Sequence, residues 1–573
     1  MLWFSILLIG TQSSLWAKAY DAFGEDSAYA IVYDQRDNSY VIAGHTTNGP
    51  LGGIDVLVTK LDANTGNVIW ARVYGYPEGE YNDYARCIIR DSTENEIYYV
   101  IAGYTKPAPL GGNSDALVIK IKSDGSLVWG YVYDASHRAD EYAYSVVKDG
   151  NGYLVAGNMN PGPCGVSDFL VFKLRPDGAP VWTHVYGKPL QGRSLNDHAY
   201  SIIEDSSLVD ATGNPQYFVV VGESKEPEGQ TVYGSIFKGR KNDGALVAGD
   251  GTLPGWIYDY YIPPYSNHRF CIYSIKNVGG NGYVTTGDRD NDIFVMRLDA
   301  GLNILWNKIY THGGPNDIAR ARCVEVDKKK YILTGFITPG IPSSASDLLV
   351  MKLDSTGSIL WSKALTGCSQ LNWMTEEDYG ECITIGPPGC YAAVGYTKWP
   401  SAWRSSNFLL AKMNTAGYIP CPNGDSCLKN VLSKEEREAT REWVSCEEAL
   451  ELQQKSIVYE GTEIRDTVIC EAREGVGELK RSIIYALTNN PNPFVSTTTI
   501  FYTLSMETNV QLGIYNIQGQ LVRMLVDQKQ KPGLHTAIWN ARDDKDNRLA
   551  PGVYFCKVKA GGYTRIHKML LMR

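Results

Sequence analysis

The residues of this chain whose types could do chemistry are ones that interrupt an otherwise regular pattern: His45, His137, Arg138, Arg193, His268, Arg269, Trp373, Trp399, Trp403 and Arg404. Indole rings and guanidinium groups combine large desolvatable area with directional donors, which is why they dominate binding hot spots. As a set they point to ligand binding, although each alone is more simply a solvated rim residue. Asp288-Arg-Asp-Asn-Asp292 has the alternating carboxylates that open a calcium loop, and Asp299 falls at the twelfth place. The sixth place, however, holds Ile293 where such a loop needs Gly to turn, and Ile293 to Leu298 reads as a strand. Asp288, Asp290 and Asp292 are therefore weak metal candidates, and no other cofactor is implied. The chain has no Gly-x-Ser-x-Gly elbow, no His-Glu-x-x-His and no phosphate-cradling Gly-rich loop, so no catalytic residues are assigned.

These residues interrupt a repeat whose clearest copy runs from Trp70 to Trp129. It reads Trp-Ala-Arg-Val-Tyr-Gly75, Asp83-Tyr-Ala85, Tyr99-Val-Ile-Ala-Gly-Tyr-Thr105, Asp115-Ala-Leu-Val-Ile-Lys120 and Asp124-Gly125. Short apolar runs punctuated by Gly, Asp and Pro predict four strands joined by turns. Trp16, Trp70, Trp129, Trp182, Trp256, Trp306 and Trp361 recur at spacings of 54, 59, 53, 74, 50 and 55. Gly44, Gly103, Gly157, Gly222, Gly287, Gly335 and Gly395 close the second strand, and Lys60, Lys120, Lys173, Lys238, Arg297, Lys352 and Lys412 close the third. Seven copies of a four-stranded unit predict a seven-bladed β-propeller over residues 15–420. The seventh unit has Tyr418-Ile-Pro420 where a Trp strand belongs, so Leu15–Tyr20 is predicted to complete it and close the ring. Loops entering the innermost strand and leaving the second share one face of such a ring, and the candidate binding residues fall there.

Residues present in most units must serve what every unit needs. Asp26, Asp83, Asp140, Asp197, Asp317 and Asp378 precede the innermost strand, and Asp55, Asp115, Asp168, Asp292 and Asp347 the third. They are predicted to accept backbone N–H bonds in turns rather than to bind metal or catalyse. Cys87, Cys323 and Cys382 occupy the slot held elsewhere by Ala30, Ser145 and Ser201, which predicts a small buried niche. Cys421 with Cys427, and Cys446 with Cys470, could form disulfides in an exported chain.

The net charge of −9 argues against a nucleic-acid partner. Met1 to Gly10 is apolar but too short to span a bilayer, so residues 1–14 are expected to be a signal peptide and the chain to be exported. No other run is apolar enough to cross a membrane. In a connector over 421–484, Ser433-Lys-Glu-Glu436 forms a capping box ahead of Ala439, Trp443, Cys446 and Leu450, which predicts one helix.

From 485 the chain changes character, with Pro491-Asn-Pro-Phe494, Ile514-Tyr-Asn-Ile-Gln-Gly-Gln520, Pro551-Gly-Val-Tyr554 and short alternating strands between them. This segment resembles the C-terminal Ig-like module shared by flagellar hook-capping proteins and by type IX secretion sorting domains. The resemblance implies an Ig-like β-sandwich at 485–573, export across a bacterial outer membrane and contact with secretion machinery. The propeller units resemble those of bacterial exported propeller-repeat proteins. Leu61 to Trp70 also resembles the docking repeat of quinone-dependent dehydrogenase propellers, but those have eight blades and an adjacent-Cys pair that this chain lacks. The resulting expectation is an all-β, monomeric, secreted or surface-exposed binding or adhesion protein for a surface glycan or protein. The rival reading is a secreted hydrolase or lyase acting on polysaccharide or peptide.

Overall fold

The computed structural model describes most of residues 15–418 apart from connecting loops, short segments between 428 and 460, and most of 484–572. Residues 1–14, Cys421, Cys427 and Cys470 lie outside the described residues. All regular structure described is β-strand, and the chain divides into two compact units, Met1–Cys470 and Glu471–Arg573.

In the first unit seven successive segments each fold into an antiparallel meander. Their first strands are Asp26–Asp34, Asn82–Ser92, Asp140–Asp149, Asn196–Val209, Phe270–Asn277, Ile318–Asp327 and Glu377–Ile385. Each packs against the first strand of the next sheet, and the seventh packs against the first, so these contacts close on themselves. The seventh sheet takes its fourth strand from the other end of the chain, where Trp16–Tyr20 pairs with Ser406–Asn414 in the register Trp16 to Lys412 and Tyr20 to Phe408.

The repeated residues form the joints between sheets. Each described Trp of the repeat lies opposite the basic residue near the end of the third strand, as in Trp70 with Lys60 and Trp361 with Lys352. Trp70, Trp129, Trp182, Trp306 and Trp361 then donate their indole N–H to a carbonyl of the following sheet's turn, at 3.0–3.2 Å. The Tyr four residues later does the same, as in Tyr133 to Gly178 O at 2.7 Å. Tyr20 donates to Gly66 O at 2.7 Å, carrying the pattern from the seventh sheet to the first.

Beside the Trp, the basic residue of several sheets is buried in a three-way staple. Lys120 Nζ lies 3.1 Å from Asp91 and donates to Tyr153 OH at 2.7 Å, and Tyr153 donates to Asp91 at 2.6 Å. Lys60, Tyr99 and Asp34 repeat this one sheet earlier, and Lys352, Tyr391 and Asp327 near the end. Burial alone would raise the Asp91 carboxyl, but hydrogen bonds from Lys148, Tyr153 and Lys120 outweigh it and hold the group below the ordinary carboxylate range.

The segment after residue 427 departs from expectation. No helix starts at Ser433. Leu428–Asn430, Ser433–Glu435, Thr440–Val444, Cys446–Leu450, Gln453–Ile457 and Tyr459–Glu460 are strands that pair with the fourth strands of the sixth, fifth, fourth, third, second and first sheets in turn. The physical reason is competition for backbone partners. Six open sheet edges offer rows of N–H and C=O groups, and residues such as Thr440, Trp443 and Val444 favour strands. An isolated helix has only its own ladder and little face to bury.

The second unit contains two sheets. One is Ile484–Asn490, Thr498–Leu504 and Gly533–Trp539, and the other is Leu521–Gln530, Thr508–Tyr515, Gly552–Ala560 and Tyr563–Leu571 in that spatial order. Alternate residues of both, including Ile500, Tyr502, Leu512, Ile514 and Val558, form one buried core. Fully buried Trp539 packs between Phe494 and Tyr554 there, with ring centroids at 5.5 and 5.2 Å. Two packed antiparallel sheets are the arrangement of an Ig-like module.

Lys120→Met would leave Asp91 buried beside one partner fewer, and urea denaturation should register a loss of about 3–5 kcal/mol. The Asp91 carboxyl is depressed in the fold, so its contribution is present above the ordinary carboxylate value and is lost as pH falls through the folded-state value. Acid titration of the wild type should therefore show cooperative loss of structure that Asp91→Asn makes shallower.

Candidate functional site

Each of the seven inner strands slips register at an equivalent residue, the fourth slipping again between Asp205 and Val209. The slips fall between Ala28 and Ala30, Ala85 and Cys87, Ala143 and Ser145, Ala199 and Ser201, Ile272 and Ser274, Ala321 and Cys323, and Gly380 and Cys382. A bulge of this kind leaves one residue without a cross-strand partner and re-aims its side chain. The residue opposite is always Gly, and the second strand runs two or three residues beyond it. A Cβ on Gly103 would lie 1.7 Å from the Tyr84 carbonyl oxygen, and the other six glycines meet the equivalent carbonyl at 1.6–1.8 Å. Glycine is thus the condition for the bulge.

The unpaired residues are Tyr29, Arg86, Tyr144, Tyr200, Tyr273, Arg322 and Glu381. Their neighbours in the repeat are small or apolar, whereas these differ in chemistry from sheet to sheet. With the residues just beside them they make a continuous collar. Tyr29 stacks on His45 at 5.5 Å, His45 meets Tyr84 at 5.0 Å, Tyr84 stacks on Tyr104 at 4.8 Å and Tyr104 meets Tyr142 at 4.9 Å. The path continues from Tyr144 to Tyr200 at 6.0 Å and on to Tyr273 at 5.1 Å, over which Arg322 lies at 4.4 Å. Arg322 also covers Phe336 at 5.8 Å, Phe336 meets Tyr379 at 4.9 Å, Tyr379 stacks on Tyr396 at 4.9 Å, and Tyr396 returns to Tyr29 at 6.4 Å. Every sheet contributes.

Charge is set into this aromatic wall in two sectors. Arg86 lies over Tyr29 at 4.3 Å and donates to Tyr104 OH at 2.9 Å, combining cation–π contact with a hydrogen bond. Burial pushes the Glu381 carboxyl up, while Arg322 and Arg86 pull it part of the way back. In the other sector Glu223 accepts a hydrogen bond from Tyr200 at 2.9 Å and faces His198 at 3.3 Å and Arg269 at 3.6 Å. Burial would raise Glu223, but hydrogen bonds from His198 and Cys271, the Arg269 charge and the Tyr200 hydroxyl take it down to about 2. Burial, reinforced by Arg86, lowers His45 to about 3, so its imidazole is neutral.

Of the residues singled out in the sequence, His45 and Arg269 belong to this collar. Arg269 spans Glu223 and Asp288, with its Nε 3.3 Å from Asp288, and donates to Tyr273 OH at 2.8 Å. Arg193 sits on a two-residue strand paired with Pro189–Leu190. His137, Arg138, His268, Trp373, Trp399, Trp403 and Arg404 lie outside the described residues. Asp288 faces Arg269 and Arg320 at 3.3 and 3.4 Å, while Asp290 accepts the Arg269 backbone N–H at 2.9 Å inside the turn joining Tyr283–Arg289 to Asp292–Leu298. Among the described residues, the carboxylates of Asp115, Asp134 and Glu141 lie within 4.8 Å of one another and are the group that could hold a cation.

The collar residues were missed in the sequence although a signal was present. The motif Ala-x-Ala, Ala-x-Cys or Ala-x-Ser recurs in the inner strand, and its middle position varies in charge and aromaticity between sheets. A variable position held inside a frame of mostly small residues is free of the repeat's structural demand.

Comparison with known proteins adds information on the second unit. Residues 495–562 match the model of the FlgD Ig-like domain. No curated relative matches the chain in sequence. Among solved structures, PorZ, an essential bacterial surface component of the type IX secretion system of Porphyromonas gingivalis, is similar at 9% identity and a TM-score of 0.21, over 95% of this chain and 81% of PorZ. Dimeric latent PorU from the same organism is similar at 12% identity and a TM-score of 0.14, over 63% of this chain and 34% of PorU. Likenesses at these TM-scores bear neither on the fold nor on function.

A histidine lowered by burial favours the folded state while neutral, and that contribution is lost as pH falls from the ordinary histidine value toward the folded one. His45 should accordingly show no imidazole titration between about pH 5 and pH 8 in a proton–nitrogen NMR titration, unlike a solvated histidine.

Proposed function

We propose that the first unit is a seven-bladed β-propeller, spanning residues 15–420, that binds a surface glycan or protein at the collar end of its central channel. The cyclic packing of the seven inner strands supports the propeller reading, and the collar carries the binding reading. Tyr rings offer flat stacking area at low entropic cost, and Arg86, Arg322 and Glu381 supply directional polar contacts among them. We further propose that residues 485–573 serve secretion or surface attachment, a reading supported by the Ig-like match and by the sequence resemblance to sorting domains. The protein then acts as an exported or surface-held monomer whose propeller presents the ligand site, with residues 421–484 connecting the two domains.

A hydrolase or lyase reading has one observation in its favour: burial raises Glu381 while Glu223 is held down, the division an acid and a charged stabiliser would need. Glu223 is already engaged by His198, Tyr200, Arg269 and Cys271, which suits a structural anchor better than a base that must face substrate.

Probing a glycan and protein array with the full chain should give discrete hits. Tyr144→Ala and Arg86→Ala should each weaken those hits by about tenfold or more while the thermal midpoint of Tyr144→Ala stays near wild type. Retention of binding by both variants would remove the collar from the site. Turnover of a bound glycan or peptide that Glu381→Gln abolishes without loss of binding would establish the hydrolase reading instead.

A further inference from the structure

The slot that follows each bulge is filled by Ala30, Cys87, Ser145, Ser201, Ser274, Cys323 and Cys382. Because consecutive inner strands pack side by side, residues one repeat apart in this slot become neighbours. Only the sixth and seventh sheets both carry Cys there. Their sulfurs lie 3.5 Å apart although the residues are separated by 59 positions. Both thiols are free, and each approaches the Ile383 carbonyl at 3.9 Å. Cys382 is partly exposed, whereas Cys323 is buried. The Cys382 hydrogen bond, and after it the Lys276 ammonium held by Glu325 at 2.8 Å, bring Cys323 below the ordinary thiol value against its burial.

We propose that Cys323 and Cys382 are an oxidisable pair that forms a disulfide between the sixth and seventh sheets when the protein meets a disulfide oxidant. The chemistry is two thiol–disulfide exchanges. The thiolate of one cysteine attacks one sulfur of the oxidant's disulfide, the other sulfur leaves as a thiolate, and a mixed disulfide forms. The second cysteine, losing its proton, attacks the protein sulfur of that mixed disulfide and expels the remaining half of the oxidant. The two cysteines lose two electrons and two protons, and the oxidant becomes two thiols. A sulfur separation of 3.5 Å leaves a movement of about 1.5 Å to reach a bonded pair, within what side-chain rotation and small strand shifts supply. Cys87 is the built-in control. It occupies the same slot, but the adjacent sheets place Ala30 and Ser145 beside it, and its sulfur faces the Val146 carbonyl at 3.9 Å.

The cross-link would sit one residue along the chain from both Arg322 and Glu381. Oxidation therefore fixes the spacing of two charged collar residues without touching either.

The test is thiol mapping of the full chain incubated with oxidised glutathione, quenched, unfolded and alkylated without reduction. The expected result is loss of alkylation at Cys323 and Cys382 together, with a linked peptide identified by fragmentation, while Cys87 remains fully alkylated. Cys323→Ser should restore alkylation of Cys382, or leave it as a glutathione adduct, and should abolish the linked peptide. Cys382→Ser should do the reverse. Continued alkylation of both cysteines in the oxidised wild type, or linkage of either one to a different cysteine, would overturn the proposal. Circular dichroism of both serine variants separates loss of the link from loss of fold.

Discussion

Seven glycines facing seven bulges are the constraint on which the first unit depends. At Gly103 any side chain would be driven into the Tyr84 carbonyl, so the inner strand could not carry its extra residue there. Without the extra residue the strand would keep its simple alternation, and Arg86 would pair across the sheet instead of joining the collar. The same arrangement in every sheet gives one unpaired side chain per repeat, all at the same level. The repeat therefore separates two demands. Positions on either side of the bulge are conscripted into packing, and the bulged position is left to chemistry.

Two sets of joints hold the sheets in register around this device. Near the outside, Trp and Tyr side chains reach forward to turn carbonyls of the next sheet. Deeper, a buried Lys, Asp and Tyr knot consecutive sheets. Both sets put polar groups where water is scarce, so each must be satisfied by its neighbour or cost stability. The Trp and Tyr joints are directional, since each sheet supplies those donors to the one after it. In the seventh sheet that obligation is met by Tyr20 and Lys412, which donate to Gly66 and Ala63 of the first sheet.

Much of this was legible because it repeats. Trp, Tyr, Gly and Lys at fixed offsets announce strands and turns, and the alternating apolar pattern after 485 announces an Ig-like sandwich. The collar was not legible by the same means, because searching for recurrence discards positions that vary. Tyr29, Arg86 and Glu381 have nothing in common as residues, only a shared place in the frame. Of the rare residues that interrupt the repeat, His45 and Arg269 stand in the collar. The segment 433–450 was misread for a different reason. Its capping box and apolar spacing suit a helix locally, yet open strand edges elsewhere in the chain outcompete local propensity, and no window of neighbouring residues can register them. Cys323 and Cys382 were likewise read as separate occupants of a niche because their closeness is created by the packing of one repeat on the next.

The strands from Leu428 to Glu460 run backwards along the sheets, reaching the sixth first and the first last. This order has a mechanical consequence. Tension on the chain beyond residue 460 arrives first at the two-residue pairing of Tyr459–Glu460, then at Gln453–Ile457, and so onward. Each strip can peel from its edge before the next is loaded, so the load is spent in small successive rips along the ribbon. The meanders beneath, with their buried lysines, would feel the pull only after the whole ribbon had come away.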